Sequence, residues 1–341
     1  MSGLSVAVVG CGLIGAKRAA ALEPDDTLLG CQDIDVEAAA ALAQLHGARA
    51  YGSLEELLAA GPDVVIVATV HDQLAALAER ALGAGAHVLV EKPAGISTAE
   101  IRRLLDLRAA AGRVVKVGFN HRFHPGIARA AALARSGSHG QLLFLRARYG
   151  HGGRPGYERE WRAQPARSGG GELIDQGMHL LDLSHWIAGA LPLHAALLRT
   201  HFWDITGEDN AALMLGEAES RSAPWALLHV SWTEWKNTFS LEIYCEKAKL
   251  QVDGLVRSYG PQTLRIYRMG PELGPPSLER IDYPDEDCSW AQEWRNLKCA
   301  IAASDSSLVN GGLEDALYAW EQVEAAYSAG PYRRMREAIA T

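Results

Sequence analysis

Apolar residues follow two different rhythms along this chain. Over the first 118 residues, short runs that are almost wholly apolar lie near 5–10, 27–32, 63–69, 86–90 and 114–118. Ala/Leu-rich amphipathic stretches separate them. Continuous apolar runs of this length predict strands buried on both faces, as in a parallel sheet covered by helices. Two of the intervening helices start with capping boxes, Ser53-Leu54-Glu55-Glu56 and Ser97-Thr98-Ala99-Glu100. In each, the Ser hydroxyl can accept from an orphan N–H while the Glu reaches back to another. Strand–helix alternation with right-handed crossovers predicts a doubly wound α/β sheet.

The rhythm changes after Phe119-Asn120-His121-Arg122-Phe123-His124-Pro125. Strand-like runs near 141–149, 194–202, 210–215, 225–234, 238–245 and 248–252 follow, with few helices between them. This predicts a largely antiparallel sheet and an α+β class. One helix is predicted near 171–188. Another is predicted near 313–328, where Leu313, Leu317, Trp320, Val323 and Tyr327 recur on one face. The domain boundary is placed near residue 120. A doubly wound domain then occupies 1–120 and a second domain 121–341, whose last helix can pack back on the first.

With 341 residues, 48% of them apolar, the chain can bury two domain cores. A net charge of −8 argues against a nucleic-acid partner. No apolar stretch approaches bilayer length, and Met1-Ser2-Gly3-Leu4-Ser5 has no basic leader, so a cytoplasmic protein with no membrane partner is expected. The five cysteines, Cys11, Cys31, Cys245, Cys288 and Cys299, are odd in number and lack C-x-x-C spacing. Buried thiols are expected of them, rather than disulfides or zinc ligands.

Chemistry enters with three motifs. The first strand ends in Gly10-Cys11-Gly12-Leu13-Ile14-Gly15 and a helix follows. A G-x-G-x-x-G turn between strand and helix aims backbone N–H groups and a helix N-terminus at a pyrophosphate. Asp33, 18 residues after Gly15, closes the next strand, with Asp35 as the rival acid. A carboxylate there accepts from ribose hydroxyls and repels a 2′-phosphate, which favours NAD over NADP. A later strand ends in Glu91-Lys92-Pro93. Ligands of such sheets bind beyond the carboxyl ends of the strands, so Lys92 is expected beside the nicotinamide, on a turn that Pro93 stiffens. Third, Gly169-Gly170-Gly171 leads into Asp175 and His179, four apart on one helix face. A carboxylate one turn from an imidazole can orient it as a base for a hydroxyl proton. Asp182 and His185 lie nearby, but no H-E-x-x-H or Cys-rich pattern accompanies them, and no metal centre is expected.

In order and register, these motifs resemble the glucose–fructose oxidoreductase / inositol dehydrogenase / rhizopine-catabolism (Gfo/Idh/MocA) family. The likeness extends over Ala68-Thr69, Gly118-Phe119-Asn120-His121-Arg122-Phe123 and Trp161-Arg162. It departs at Val70 and at Leu74, where the family often has Pro and His; His71 is out of register. The resemblance implies a Rossmann domain followed by an open-faced, mainly antiparallel sheet domain, assembled as homodimers or homotetramers. It implies reversible oxidation of a sugar, cyclitol or sugar-nucleotide hydroxyl with NAD or NADP. Lys92, Asp175 and His179 are the catalytic set it implies: His179 as acid/base, Lys92 on the reacting oxygen, Asp175 tuning its neighbours. Cofactor contacts are expected from Gly10, Gly12, Leu13, Ile14, Gly15, Asp33, Ala68, Thr69, Glu91, Lys92, Asn120, Trp161 and Arg162.

Residues 146–167 carry six arginines against Glu158 and Glu160, and Gly152-Gly153-Arg154-Pro155-Gly156 reads as a mobile loop. Arginine forks match phosphates bidentately, which points to the diphosphate of a sugar nucleotide. The substrate set expected is Lys92, Arg122, Arg154, Asp175 and His179. Trp225, Trp232, Trp235 and Phe239 are expected to fill a sheet face or a contact between subunits. Two alternatives accompany this expectation: redox-neutral, NAD-assisted elimination or hydrolysis of a glycoside, and a non-catalytic dinucleotide sensor.

Overall fold

A computed structural model describes residues 3–272 and 274–340. It divides into two compact units, Met1–Asn120 with Trp290–Leu317 and His121–Ser289 with Tyr318–Thr341.

The first unit is a doubly wound sheet. Its elements are β1 (Ser5–Val9), α1 (Leu13–Ala20), β2 (Thr27–Gln32), α2 (Val36–His46), β3 (Arg49–Ala50), α3 (Leu54–Ala59), β4 (Val64–Val67), α4 (His71–Gly83), β5 (His87–Val90), α5 (Thr98–Ala111) and β6 (Val115–Val117). All six strands pair in parallel in the order β3-β2-β1-β4-β5-β6. The order reverses at β1/β4, where such sheets bind ligands. Residues 6–9 and 64–67 are buried throughout, which is why these strands read as unbroken apolar runs. Leu74, at the position where the family often has His, is fully buried core. The predicted caps form: Ser53 Oγ accepts from Glu56 N–H (3.2 Å) and Ser97 Oγ from Glu100 N–H (3.3 Å). The glutamates reach one residue further back than a capping box requires, to Gly52 N–H and Ile96 N–H.

The second unit opens with α6 (Pro125–Arg135), β7 (Leu142–Gly150), α7 (Pro165–Ser168) and α8 (Met178–Ala188). Seven strands follow: β8 (Leu193–Arg199), β9 (Asn210–Leu215), β10 (Trp225–Ser231), β11 (Thr238–Cys245), β12 (Ala248–Asp253), β13 (Thr263–Arg268) and β14 (Ser277–Asp282). Their order is β14-β13-β12-β11-β7-β10-β9-β8, antiparallel except for β7 with β10. Burial alternates strictly along β11, since α6 and α8 cover one face of the sheet only. The other face carries a stacked row, Trp225 on Phe144 (4.9 Å) and Phe144 on Tyr244 (4.1 Å). Trp232 and Phe239 are buried, whereas Trp225 and Trp235 are exposed, so the predicted aromatic cluster divides between core and surface.

The chain ends in α9 (Ser289–Ala303), α10 (Leu313–Ser328) and α11 (Arg333–Ala340). Trp294, Leu297 and Ala300 of α9 join Val6, Val8, Ile66 and Leu89 in the core of the first unit. Lys298, almost wholly buried, is held there by Glu23 (2.8 Å), Asp25 (3.0 Å) and Asp26 (2.8 Å). Among the described residues no helix is long and apolar enough to cross a membrane.

Candidate functional site

In the first unit the glycine turn is built on steric necessity. Gly10 has φ 92°, and a Cβ there would lie 2.5 Å from the Ala68 carbonyl oxygen. Only glycine lets β1 turn against the Ala68-Thr69 segment so closely. A Cβ on Gly15 would overlap the Gly10 carbonyl oxygen. Gly12 differs: nothing lies within 4 Å of the position of its Cβ. As N-cap of α1 it supplies no side-chain cap, and the first turn carries no acid. The orphan N–H groups and the positive end of the helix therefore face open space, as an anion site needs. A pyrophosphate fits this cradle.

Asp33 and its rival Asp35 have different tasks. Asp35 caps α2, accepting from Glu37 N–H (3.1 Å) and Ala38 N–H (3.2 Å). Asp33 instead turns back to the glycine turn, accepting from Cys11 N–H (2.6 Å) and Asp35 N–H (2.9 Å). Ile34 beside it is 95% exposed and Leu13 74% exposed. Large apolar side chains left in water at a nucleotide turn suit an adenine ring.

Glu91, expected against the cofactor, is buried in an ion-pair network. It accepts from Arg18 Nε (2.7 Å), and Arg18 also pairs with Glu293. Lys116 Nζ lies 3.9 Å from Glu293. Burial pushes the Glu293 carboxyl up, against the pull of Arg18 and Lys116. A Cβ on Gly118 would fall 2.7 Å from Arg18 Nη2 and 2.9 Å from Glu91 Oε2, so Gly118 makes room for the pair. Glu91 thereby anchors the strand end from which half-buried Lys92 follows. Asn120 is buried at the end of this unit's first segment.

The second unit gathers most of the remaining candidates around α8. The segment Leu173–Gly177 is a π-helical turn that runs directly into that helix. Single π turns of this kind are frequent at functional sites. Asp175 sits at its middle. Arg162, whose guanidinium lies over the Trp161 ring at 4.5 Å, approaches Asp175 Oδ1 to 3.7 Å. One turn on, the His179 ring stacks on His121 at 3.7 Å and meets Tyr149 edge-on at 6.3 Å. Tyr149 contacts Tyr259 at 5.3 Å, and Gln176 Nε2 donates to Tyr259 Oη at 2.9 Å. Burial pushes both phenols up, that of Tyr259 to about 12, with Asp175 adding to each shift. Burial lowers the His151 imidazole, which Asp175 partly opposes. A carboxylate, two stacked imidazoles and two neutral phenols thus lie near one another, His121, His179 and Tyr149 buried and Asp175 and Tyr259 half-buried, a grouping suited to holding and moving a proton.

Two substrate candidates stand elsewhere. Arg122 is 3% exposed, and its Nε (2.9 Å) and Nη2 (2.6 Å) are committed to Asp182, so the structure makes it a buried structural ion pair. Arg154 is exposed and pairs with Glu160 at 2.6 Å. The loop around it packs on tryptophans: a Cβ on Gly152 would lie 3.0 Å from Trp235 Cα. Sequence reasoning gave no role to Tyr149 or Tyr259. Only strand pairing and a distant turn bring them to α8, and no local motif marks either.

Family models match both halves of the chain. Residues 4–119 match the "Oxidoreductase family, NAD-binding Rossmann fold" model, and residues 127–251 match the "GFO/IDH/MocA C-terminal domain". An uncharacterised oxidoreductase of Synechocystis sp. is 30% identical over 309 residues, 82% of this chain and 81% of that protein. Inositol 2-dehydrogenase 2 of Saccharopolyspora erythraea is 28% identical over 215 residues; the match covers 59% of this chain and 61% of that enzyme's length. GenD2 from gentamicin A biosynthesis, solved in complex with NAD, superposes with a TM-score of 0.81 at 26% identity, covering 96% of this chain and 94% of its own. A 3-2-1-4-5-6 sheet with an open glycine cradle, an eight-stranded second sheet and a relative matched over about four fifths of both chains agree: this chain belongs to the Gfo/Idh/MocA oxidoreductase family, and its first unit is that family's NAD-binding Rossmann fold.

Proposed function

We propose that this protein is an NAD(H)-dependent oxidoreductase acting on a secondary hydroxyl, or the matching ketone, of a sugar or cyclitol. The observation that carries this reading is His179, stacked on His121 and edge-on to Tyr149, with Asp175 near enough to raise the phenols of Tyr149 and Tyr259, since a binding protein needs no such set of proton-holding groups. Bound NAD would accept the hydride. Gly10, Gly12, Gly15 and Asp33 would hold it, with Leu13, Ile14, Ala68, Thr69, Asn120, Trp161 and Arg162 as further contacts. His179 takes the hydroxyl proton, and Asp175, beside Arg162, biases the imidazole toward accepting it. Lys92 hydrogen-bonds the substrate oxygen and stabilises the negative charge that develops on it. NADH absorbance with a panel of hexoses, cyclitols and UDP-hexoses tests the proposal. Turnover should appear with at least one of them and fall about 100-fold or more in Lys92→Ala and His179→Ala. Product formation without NADH accumulation would instead favour redox-neutral elimination or hydrolysis.

A narrower substrate, a sugar nucleotide, rests on the arginines of 146–167. Arg154 is largely exposed and Glu160 half-buried, so little energy is lost when a diphosphate replaces the carboxylate on the guanidinium. Calorimetry giving equal affinity for UDP-glucose and glucose would refute it. Self-association rests on the Trp225–Phe144–Tyr244 row, with Met214 and Leu197 also exposed on strands of that sheet. Trp225→Glu should lower the sedimentation coefficient if this surface joins copies.

A further inference from the structure

We propose that Glu208 and Tyr327 are positioning residues, which hold the turn that presents Asp175 and so orient the acid/base pair without touching the substrate. The inference rests on the function proposed above. It begins with the backbone donors that every helix start leaves unsatisfied. Three successive N–H groups lead into the π turn. Gly171 N–H donates to Tyr327 Oη (3.1 Å), Glu172 N–H to the Glu208 carbonyl (2.9 Å), and Leu173 N–H to Glu208 Oε1 (2.9 Å). Tyr327 O–H closes the set by donating to the Glu208 carboxylate, at 2.9 and 3.0 Å. Both residues are fully buried, and neither belongs to the helix they cap. Two positions on, Asp175 N–H donates to the Gly171 carbonyl at 3.1 Å. Any shift of the clamp is therefore passed to Asp175 through a single turn of backbone.

The sequence is shaped around this clamp. A Cβ on Gly170 would overlap Tyr327 Oη, and one on Gly171 would overlap the Glu208 carbonyl oxygen. A local Ser or Asp cap could satisfy such donors without burying a distant carboxyl. Burial pushes the Glu208 carboxyl up to about 7, although the N–H and hydroxyl donors hold it back. A costly carboxylate that bridges a loop, a helix start and α10 fixes direction as well as stability. Direction matters because an ångström of misplacement at a reacting centre costs on the order of 100-fold in rate.

The test separates kcat from cofactor binding, using the sugar or cyclitol the wild type turns over fastest and NADH as the binding probe. Tyr327→Phe removes one hydroxyl and should lower kcat about tenfold or more, with the NADH Kd unchanged within twofold. Glu208→Ala should do the same. Glu208→Gln keeps an acceptor for Leu173 N–H and should retain most of kcat. A lower melting temperature with kcat unchanged in Tyr327→Phe would reduce the pair to a stability element and overturn the inference, leaving the function intact. Should Glu208→Ala fail to fold, Tyr327→Phe and Glu208→Gln still decide. A wild type that turns over no member of the panel refutes the proposed function first, and this assignment with it.

Discussion

Two glycine clusters serve this protein for opposite reasons. In the first unit, Gly12 stands where an added Cβ would meet nothing within 4 Å. The space it leaves lies over a helix N-terminus and is shaped for a ligand. In the second unit, Gly170 and Gly171 stand where a Cβ would strike Tyr327 and Glu208. The space they leave is filled by the protein itself, in a clamp on the π turn that carries Asp175. One cluster withholds side chains so that something else can enter. The other withholds them so that two buried groups can reach backbone N–H groups. A glycine run in a sequence therefore signals close approach, and the structure tells what approaches.

Substitutions can break this contrast in graded steps. Gly15→Ala has the largest expected effect, because its Cβ would collide with backbone rather than a movable side chain. Urea unfolding should show a loss upward of about 3 kcal/mol. The clamp has a pH signature of similar size. Folded Glu208 holds its proton up to about pH 7, whereas the unfolded carboxyl releases it near 4.5. Across that window the unfolded state binds fewer protons, so this group's contribution falls as pH rises, by about 3 kcal/mol in all. The histidines with lowered pKa values, His124 and His151 among them, act in the opposite sense. The difference between wild type and Glu208→Gln in urea titrations at pH 5 and pH 8 isolates Glu208; no change in that difference would refute the assignment. Gly12→Ala should leave the melting temperature alone yet weaken NADH binding about tenfold by fluorescence titration. Unchanged binding would mean the open space is not the pyrophosphate site. The smallest effect belongs to Asp33→Ala. Removing one charge near a 2′-phosphate is worth ~1 kcal/mol in water, so the affinity for NADPH relative to NADH should rise about fivefold.

Legibility differs between the two units for a physical reason. Strands such as Thr27–Gln32 and Asn210–Leu215 lie where the apolar runs placed them, because burial on a pleated surface imposes its own period. The doubly wound order follows from alternation and crossover handedness. Other elements escaped. β13 and β14 are interrupted by charge at Arg265, Arg268, Glu279, Arg280 and Asp282, and their apolar signal is thin at that edge of the sheet. No helix is predicted over α6 or α9, although Pro125 opens α6 at a position proline favours. The strand predicted over 194–202 stops at Arg199, where Asp209 accepts from the N–H groups of His201, Phe202 and Trp203 and draws the chain out of the ladder. Arg122 misled for a related reason: a guanidinium reads the same in sequence whether it meets a substrate or a buried Asp182.

What the residues determined alone was local: the glycine turn after β1, the acid closing β2, the helix caps, and the four-residue step from Asp175 to His179. Each depends on groups a few positions apart, whose geometry the backbone dictates wherever the segment lies. Tertiary structure decided the company those groups keep. It stacked His179 on His121, set Tyr149 against Tyr259, and bonded Tyr327 to Glu208 across 119 residues. Such pairings exist only once loops close and water leaves, and the free energy of a buried polar group is set by the partner it then finds.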